Sequence, residues 1–193
     1  MEIREVWSLG IDPGYGETGA VLSLVNDGIP VEAACWCNDN THELPMLRAM
    51  SICIPMMEQV LAWITEHDIE VLRVGLEEPI YNGNPKVLMI QMSLFVMLQA
   101  YVYDYLTPHL DELYLTIVSN QTSKKRLTGN GHADKNAMIN SSPWVGYTSH
   151  GLTYAQAHTL ADAYAQGLCS DKCTYALHKL PAHSVPADYV MED

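Results

Sequence analysis

Apolar and polar positions alternate in short runs at the start of the chain, and turn-forming residues close each run. The pattern predicts three strands, over residues 6–12, 18–25 and 30–37. Pro13-Gly14 cannot continue the first strand, and Asn26-Asp27-Gly28 is a strong hairpin turn between the second and the third. The chain therefore begins as an antiparallel meander. It leaves the carboxylate of Asp12 at a strand exit, where catalytic groups are often held.

Beyond the meander, apolar residues recur at intervals of three and four, the spacing of one helix face. The pattern predicts helices over residues 45–67, 86–106, 133–140 and 154–168, and strands over residues 70–78 and 114–120. A strand, helix, strand order implies a parallel crossover, which can place the strand ending at Glu77 beside the first strand. Asp12 and Glu77 then meet at one edge, where two carboxylates repel unless they share a divalent cation. Glu78 is the reserve candidate.

The long helix over residues 85–106 is apolar nearly all round. Its start is marked by Asn84 as the capping residue and by Pro85 in the first turn. Polar residues interrupt the apolar run and argue against a membrane span; they are Gln91, Ser93, Gln99 and Asp104. A helix with two apolar faces needs two partners. We expect the sheet to cover one face and a second subunit to cover the other, which makes the protein a homodimer.

The last predicted helix is rich in alanine and carries His158 and Asp162 four residues apart, on one face. Small alanines on either side let it approach the sheet closely, which predicts that this pair joins the strand-end acids as a third contributor to a metal site. A His-Asp pair at this spacing is also a common surface hydrogen bond. The residue types alone therefore leave both interpretations open.

A glycine-containing loop is predicted over residues 123–135. It holds four of the ten lysines and arginines of the chain, namely Lys124, Lys125, Arg126 and Lys135. Such a run is often just a solvated face. In so acidic a chain, however, it is the surface best suited to bind phosphates.

Composition limits the possible partners. The chain has 193 residues, 48% of them hydrophobic, and a formal net charge of −13, so it fits one globular domain whose overall field repels nucleic acid and anionic membranes. Any role on nucleic acid must rest on local cations or bound metal. Five cysteines, an odd number, and the lack of a signal peptide indicate reduced thiols in the cytoplasm.

Two other cofactor sites are conceivable from the sequence. The segment Gly14-Tyr15-Gly16-Glu17-Thr18-Gly19 matches a dinucleotide fingerprint, but a strand follows it where that fingerprint requires a helix. A zinc site is conceivable from residues whose spacing fits no standard pattern: Cys35, Cys37, Cys169, Cys173, His178 and His183. Small buried apolar residues are the commoner role for such cysteines.

Four segments, taken in order, resemble the RuvC family of Holliday junction resolvases in the ribonuclease H-like superfamily. They are Leu9-Gly10-Ile11-Asp12-Pro13-Gly14, Leu76-Glu77-Glu78, Thr128-Gly129-Asn130-Gly131-His132-Ala133-Asp134-Lys135 and Ala161-Asp162-Ala163-Tyr164-Ala165. The resemblance covers most of residues 6–167. It implies an α/β fold with a mixed five-stranded sheet, three antiparallel strands followed by parallel ones, in a domain over residues 1–170 with a C-terminal extension over 171–193. It also implies a homodimer formed through the long apolar helix.

Carried over by position, the resemblance makes Asp12, Glu77 and Asp162 metal ligands, and Lys124 and Lys135 phosphate-contacting residues. The family usually has Asp or His three residues before the last acid, where this chain has Thr159. His158 lies one place earlier on the same helix face and is the candidate for the fourth position. The family also inserts an aromatic wedge just after the strand-end glutamate, where this chain has Ile80 and Tyr81.

The function expected from the resemblance is Mg²⁺-dependent cleavage of four-way DNA junctions by paired nicks, with two metal ions in each active site and Mn²⁺ as a substitute. Two alternatives stay open. One is another ribonuclease H-like nuclease that acts on flaps or RNA-containing substrates. The other is a catalytically inactive junction-binding protein, which Thr159 makes conceivable. An actin-like nucleotide-binding module needs two similar halves and a longer chain.

Overall fold

The structure is a computed structural model that describes residues 4–14, 16–37, 44–80, 83–171 and the backbone of 175–179. The first half of the chain forms β1 (Val6–Asp12), β2 (Glu17–Leu24), β3 (Pro30–Cys37), α1 (Pro45–Glu66), β4 (Val71–Glu77) and α2 (Pro85–Tyr101). The second half forms β5 (Glu112–Val118), α3 (Asn120–Thr128), α4 (Lys135–Asn140), α5 (Tyr154–Leu168) and β6 (Tyr175–Lys179). A π-helical turn, Val102–Leu106, and a 3-10 turn, Thr107–His109, continue α2.

The strands form one mixed sheet in the order β3-β2-β1-β4-β5-β6. β1, β2 and β3 pair antiparallel, while β4 runs parallel to both β1 and β5. The predicted ribonuclease H-like fold class, with three antiparallel strands followed by parallel ones, is confirmed. β6 pairs antiparallel with β5 and extends the five predicted strands to six. It lies within the residues assigned to the C-terminal extension, so part of that segment belongs to the sheet.

The two faces of the sheet carry different side chains because successive residues of a strand point in opposite directions. Leu9, Ile11 and Leu76 belong to the main hydrophobic core, which α1 and α2 cover. Their neighbours Gly10 and Gly75 lie under α5 on the opposite face. A Cβ atom at Gly10 would be 1.8 Å from the backbone oxygen of Ala163. The close approach of α5 to the sheet, predicted from its alanines, is confirmed, and it depends on glycines in the strands as well.

The predicted basic loop is wrong over its first part, because residues 120–128 form helix α3. Ser119 caps this helix, its hydroxyl accepting a hydrogen bond from the Thr122 N–H at 3.3 Å. The helix ends at Gly129, which has a φ of 80°. Most residues of α3 are polar, and Ser123 is its one buried residue. The sequence therefore shows no apolar periodicity that would have indicated a helix. Lys124, Lys125 and Arg126 therefore project from a rigid element.

No described residue covers one face of α2. Its exposed apolar side chains are Met89 (65% exposed), Met92 (41%), Val96 (56%) and Tyr103 (46%) in the turn that follows. Leu94 and Leu98 on the other side are buried in the core. By length and composition alone, Pro45–Glu66 and Pro85–His109 are apolar enough to cross a membrane, a property that core helices share. α1 buries eight residues, whereas α2 buries two, so within the described part of the chain α2 is the helix with an uncovered face.

Candidate active site

Asp12 and Glu77 lie at the ends of the adjacent strands β1 and β4. Ile11 is in register with Leu76, so the two acids follow as the next pair along parallel strands. Because Ile11 and Leu76 point into the α1 side, both acids point toward α5. Their side chains are within hydrogen-bonding distance of each other. The predicted meeting of these two carboxylates at one sheet edge is what the structure shows.

Helix α5 brings the third acid to the same place. Asp162 is only 8% exposed, and its charge acts on Asp12. His158, one turn earlier, has its Nε2 atom 3.3 Å from Asp162 Oδ2. Burial, and then the charges of Lys135 and Lys124, lower the pKa of His158 to about 4. The imidazole is therefore neutral at neutral pH, so its contact with Asp162 is not an attraction between opposite full charges.

Asp12 and Asp162 hold their protons unusually tightly. Burial, followed by the charges of Glu77 and Asp162, raises the pKa of Asp12 well above its usual range. Burial and Glu77 likewise raise the pKa of Asp162 to about 7, and Lys124 and Lys135 only partly oppose this. The positive charge of Lys124 and Lys135 thus does not balance the negative charge of the three acids. Oxygen ligands with uncompensated charge suit a hard divalent cation, so these residues fit Mg²⁺ or Mn²⁺.

Glu77 also accepts a hydrogen bond from Asn120, a residue that the sequence analysis did not assign to the site. Asn120 Nδ2 donates a hydrogen bond to Glu77 Oε1 at 2.6 Å. Asn120 is the first residue of α3, just after β5, which runs parallel to β4. A signal was available, because a polar residue that follows a parallel strand next to β4 must lie at the same sheet edge.

The remaining candidates near the acids occupy different positions. Glu78 is exposed and lines a small cavity with Pro13 and Gln91, on the α2 side of the sheet edge. Thr159 is buried, and its methyl group packs close to Gly19 of β2. Ile80 is 46% exposed in the same cavity as Glu78. Tyr81 lies outside the described residues.

The four predicted phosphate-binding cations separate into three places. Lys124 and Lys135 are close enough to His158 and Asp162 to lower their pKa values. Lys125 lines an open polar groove of about 400 Å³ together with Ser119, Gln121, Thr122, Gly129, Asn130, Gly131 and His132. Arg126 forms an ion pair with Asp171 at 3.2 Å, beyond the far end of α5. Only the first two are brought to the acids.

Among the described residues, one group of three possible metal ligands has its ligand atoms all within 4.8 Å of one another, and it consists of Glu32, Glu66 and His67. Glu32 is in register with Leu22, which pairs with Leu9, so the group lies away from the end of β1 that carries Asp12. His67 Nε2 and Glu32 Oε1 are 3.1 Å apart, and Glu66 is exposed. This half-buried contact between a histidine and a glutamate is separate from the candidate active site.

Cys35 and Cys169, the described ends of the conceivable zinc site, do not come together. Cys35 Sγ lies 3.8 Å from the backbone oxygen of Gln156, near the start of α5. Cys169 follows the end of the same helix. Thirteen helical residues separate these points by roughly 20 Å, too far for one ion. Cys173 and His183 lie outside the described residues, and of His178 only the backbone is described.

No protein-family model matches this chain, and no curated protein matches it. Among solved structures, one described as "Thermus thermophilus RuvC structure" is similar, with a TM-score of 0.56 and 16% identity over 84% of this chain and 92% of that one. A second, "T. thermophilus RuvC in complex with Holliday junction substrate", has a TM-score of 0.59 and 18% identity over 84% of this chain and 91% of that one. At these identities the likeness shows the fold. The chain has the fold of RuvC, as the four sequence segments indicated.

Proposed function

We propose that this protein is a structure-selective endonuclease that cuts four-way DNA junctions by divalent-metal-dependent hydrolysis of phosphodiester bonds. The observation that carries the proposal is the convergence of Asp12, Glu77 and Asp162 at one edge of a RuvC-like sheet, in surroundings that leave their charges uncompensated. The RuvC fold supports a resolvase-like nuclease. The acids supply the chemistry that such a nuclease needs.

In this proposal Asp12, Glu77 and Asp162 would together hold two divalent ions, and His158 would either complete the ligand set or carry a proton. Two divalent ions bound there would activate the attacking water and stabilise the charge on the leaving oxygen. The neutral imidazole of His158 keeps a nitrogen available at neutral pH because its pKa is about 4. Glu78 stays the reserve ligand, but its exposed position on the α2 side makes it the weaker choice.

The DNA backbone would enter past Lys124 and Lys135, which stand beside the acids and bind the phosphates that flank the cut. Lys125 extends this path into the polar groove at the start of α3, where hydroxyl and amide groups can contact further phosphates. Arg126 would have to leave Asp171 to join them. Ile80 and Tyr81 are the proposed wedge residues at the junction, and the exposure of Ile80 is compatible with that role.

The second partner that α2 requires is, in this proposal, another copy of the chain. Met89, Met92 and Val96 follow one another at intervals of three and four residues, the spacing of a helix–helix seam. Packing of these three residues against the same residues of a second copy would form a homodimer around a twofold axis. The dimer would present two active sites to a four-way junction. Paired, symmetric nicks would follow. The nuclease domain would span residues 1–170 together with strand β6, and the protein would work in a reducing, cytoplasmic compartment.

Cleavage of a synthetic four-way junction tests the proposal. We expect Mg²⁺ or Mn²⁺ to support symmetric nicks in opposing strands, and EDTA to abolish them. A flap substrate and an RNA–DNA hybrid are run in parallel, since preference for either would favour the alternative of another ribonuclease H-like nuclease. Tight junction binding without nicks in any metal would favour an inactive junction-binding protein, as the threonine at position 159 allows.

A further inference from the structure

Among the described residues, Asn120 is the one outside the acids themselves whose side chain donates a hydrogen bond to Glu77. The bond from Asn120 Nδ2 to Glu77 Oε1 is 2.6 Å long and joins α3 to β4. A donor on one oxygen fixes the rotation of the carboxylate and thereby the direction of its remaining lone pairs. The orientation of Glu77 toward Asp12 and Asp162 therefore depends on where α3 begins.

Hydrogen bonds from buried side chains hold the first turn of α3 in place. Ser123 Oγ donates to the backbone oxygen of Asn120 at 2.9 Å, and Gln166 Nε2 donates to Ser123 Oγ at 3.3 Å. Ser123 is 2% exposed and Gln166 is fully buried. These three residues form a hydrogen-bonded series, Gln166–Ser123–Asn120, that ends on the carboxylate of Glu77.

Gln166 is held firmly at the other end of this series. It lies one helical turn after Asp162 on α5, and its backbone oxygen packs against Gly75 of β4, where a Cβ atom would come within 2.1 Å of it. An amide N–H that is buried without an acceptor costs free energy. The hydrogen bond from Gln166 to Ser123 is therefore favoured over leaving that donor unpaired. The helix that carries Asp162 is in this way connected to the residue that orients Glu77.

We propose that Asn120 is a positioning residue for Glu77, and that Ser123 and Gln166 act through it to set the spacing between Glu77 and Asp162. The inference rests on the proposed function, because it treats Glu77 and Asp162 as metal ligands. Loss of such an outer partner typically weakens metal binding or activity by roughly 10- to 100-fold. We expect a loss of this size from Asn120→Ala and a smaller one from Ser123→Ala.

Calorimetric titration of the full chain with Mn²⁺, without DNA, provides a readout that does not depend on cleavage. Asn120→Ala is compared with Asn140→Ala, the same change at an exposed position on α4. We expect Asn120→Ala to raise the Mn²⁺ dissociation constant roughly 10-fold or more, with Asn140→Ala unchanged. In cleavage assays the variant should need more metal for half-maximal rate yet recover most of kcat at saturating metal. A dissociation constant within twofold of the wild-type value would overturn the inference.

A double-mutant comparison tests the series behind Asn120. If Ser123 acts through Asn120, Ser123→Ala should weaken Mn²⁺ binding in the wild-type background and add little once Asn120 is alanine. Equal effects in both backgrounds would show that Ser123 acts elsewhere and would refute the series. Thermal unfolding of each variant confirms that it is folded.

The inference and the proposed function can fail separately. A wild-type protein that binds Mn²⁺, loses affinity with Asn120→Ala and cuts no junction would keep the inference and refute the nuclease. A wild-type protein that cuts junctions, with an Asn120→Ala variant that binds Mn²⁺ normally, would support the nuclease and refute the inference. A wild-type protein that binds no Mn²⁺ would overturn the metal site and the inference together.

Discussion

The raised pKa of Asp162 predicts that the metal-free protein loses stability as the pH rises. The ordinary value for an aspartate is 3.8, and burial together with Glu77 raises the pKa of Asp162 to about 7 in the folded state. Because the folded state binds this proton more tightly than the unfolded state, the contribution is fully present below the unfolded pKa. It is lost as the pH rises through the folded value.

Between pH 5 and pH 8 the contribution of Asp162 should fall by about 2 to 3 kcal/mol, since each unit of pH below the folded pKa is worth about 1.4 kcal/mol. For a chain of this size that is a decrease in Tm of roughly 5 to 10 °C. Thermal unfolding in EDTA measures it in the wild-type protein and in Asp162→Asn, which keeps the shape and removes the titration. Asp104→Asn, the same change at an exposed position, is the matched control.

We expect Asp162→Asn to be less sensitive to pH than the wild-type protein and more stable than it at pH 8. Added Mg²⁺ should raise the wild-type Tm more at pH 8 than at pH 5, because the cation and the proton compete for the same carboxylate. An equal change between pH 5 and pH 8 in the wild-type protein and in Asp162→Asn would refute the electrostatic account of the site.

Three further predictions concern cleavage, DNA binding and assembly. Asp12→Asn should reduce cleavage at least 100-fold and leave junction binding in EDTA intact. A gel assay measures nicking and binding separately, and a variant that still cuts would place the metal site elsewhere. Lys124→Ala should reduce the slope of log affinity against log salt by roughly 2 per dimer, whereas Arg126→Ala, already paired within the protein, should change it less. Val96→Asp should yield a folded monomer by light scattering because it buries a charge in the proposed α2 seam; a dimer of unchanged affinity would remove that seam from the model.

Much of the fold could be predicted because the β1 to β5 segments and α5 have unambiguous periodicity. α5 was predicted with its observed bounds, Tyr154–Leu168. Helix α3 was missed because Asn120, Gln121, Thr122 and Ser123 offer no apolar face. A capping hydroxyl, one buried serine and the packing of Leu127 hold it in place. β6 was missed because the sequence after residue 171 shows no clear alternation.

The site was predictable as far as chain topology determines it. Asp12 and Glu77 could be placed together since parallel neighbours end at one sheet edge, and Asp162 followed from a helix that packs closely on that sheet. Asn120 was missed, because its role depends on a hydrogen bond of one side chain rather than on a repeating pattern. Arg126 was placed with the other cations on sequence proximity alone, whereas helical geometry turns it toward Asp171.

The contact of α5 with Gly10 and Gly75 has a consequence for how this protein tolerates change. Main-chain atoms, which substitution cannot shorten or remove, set the height of the helix above the sheet. The layer formed by α1 on the other side can therefore be repacked at some cost in stability without shifting the acids. Variation should accumulate there, while the two glycines permit almost none.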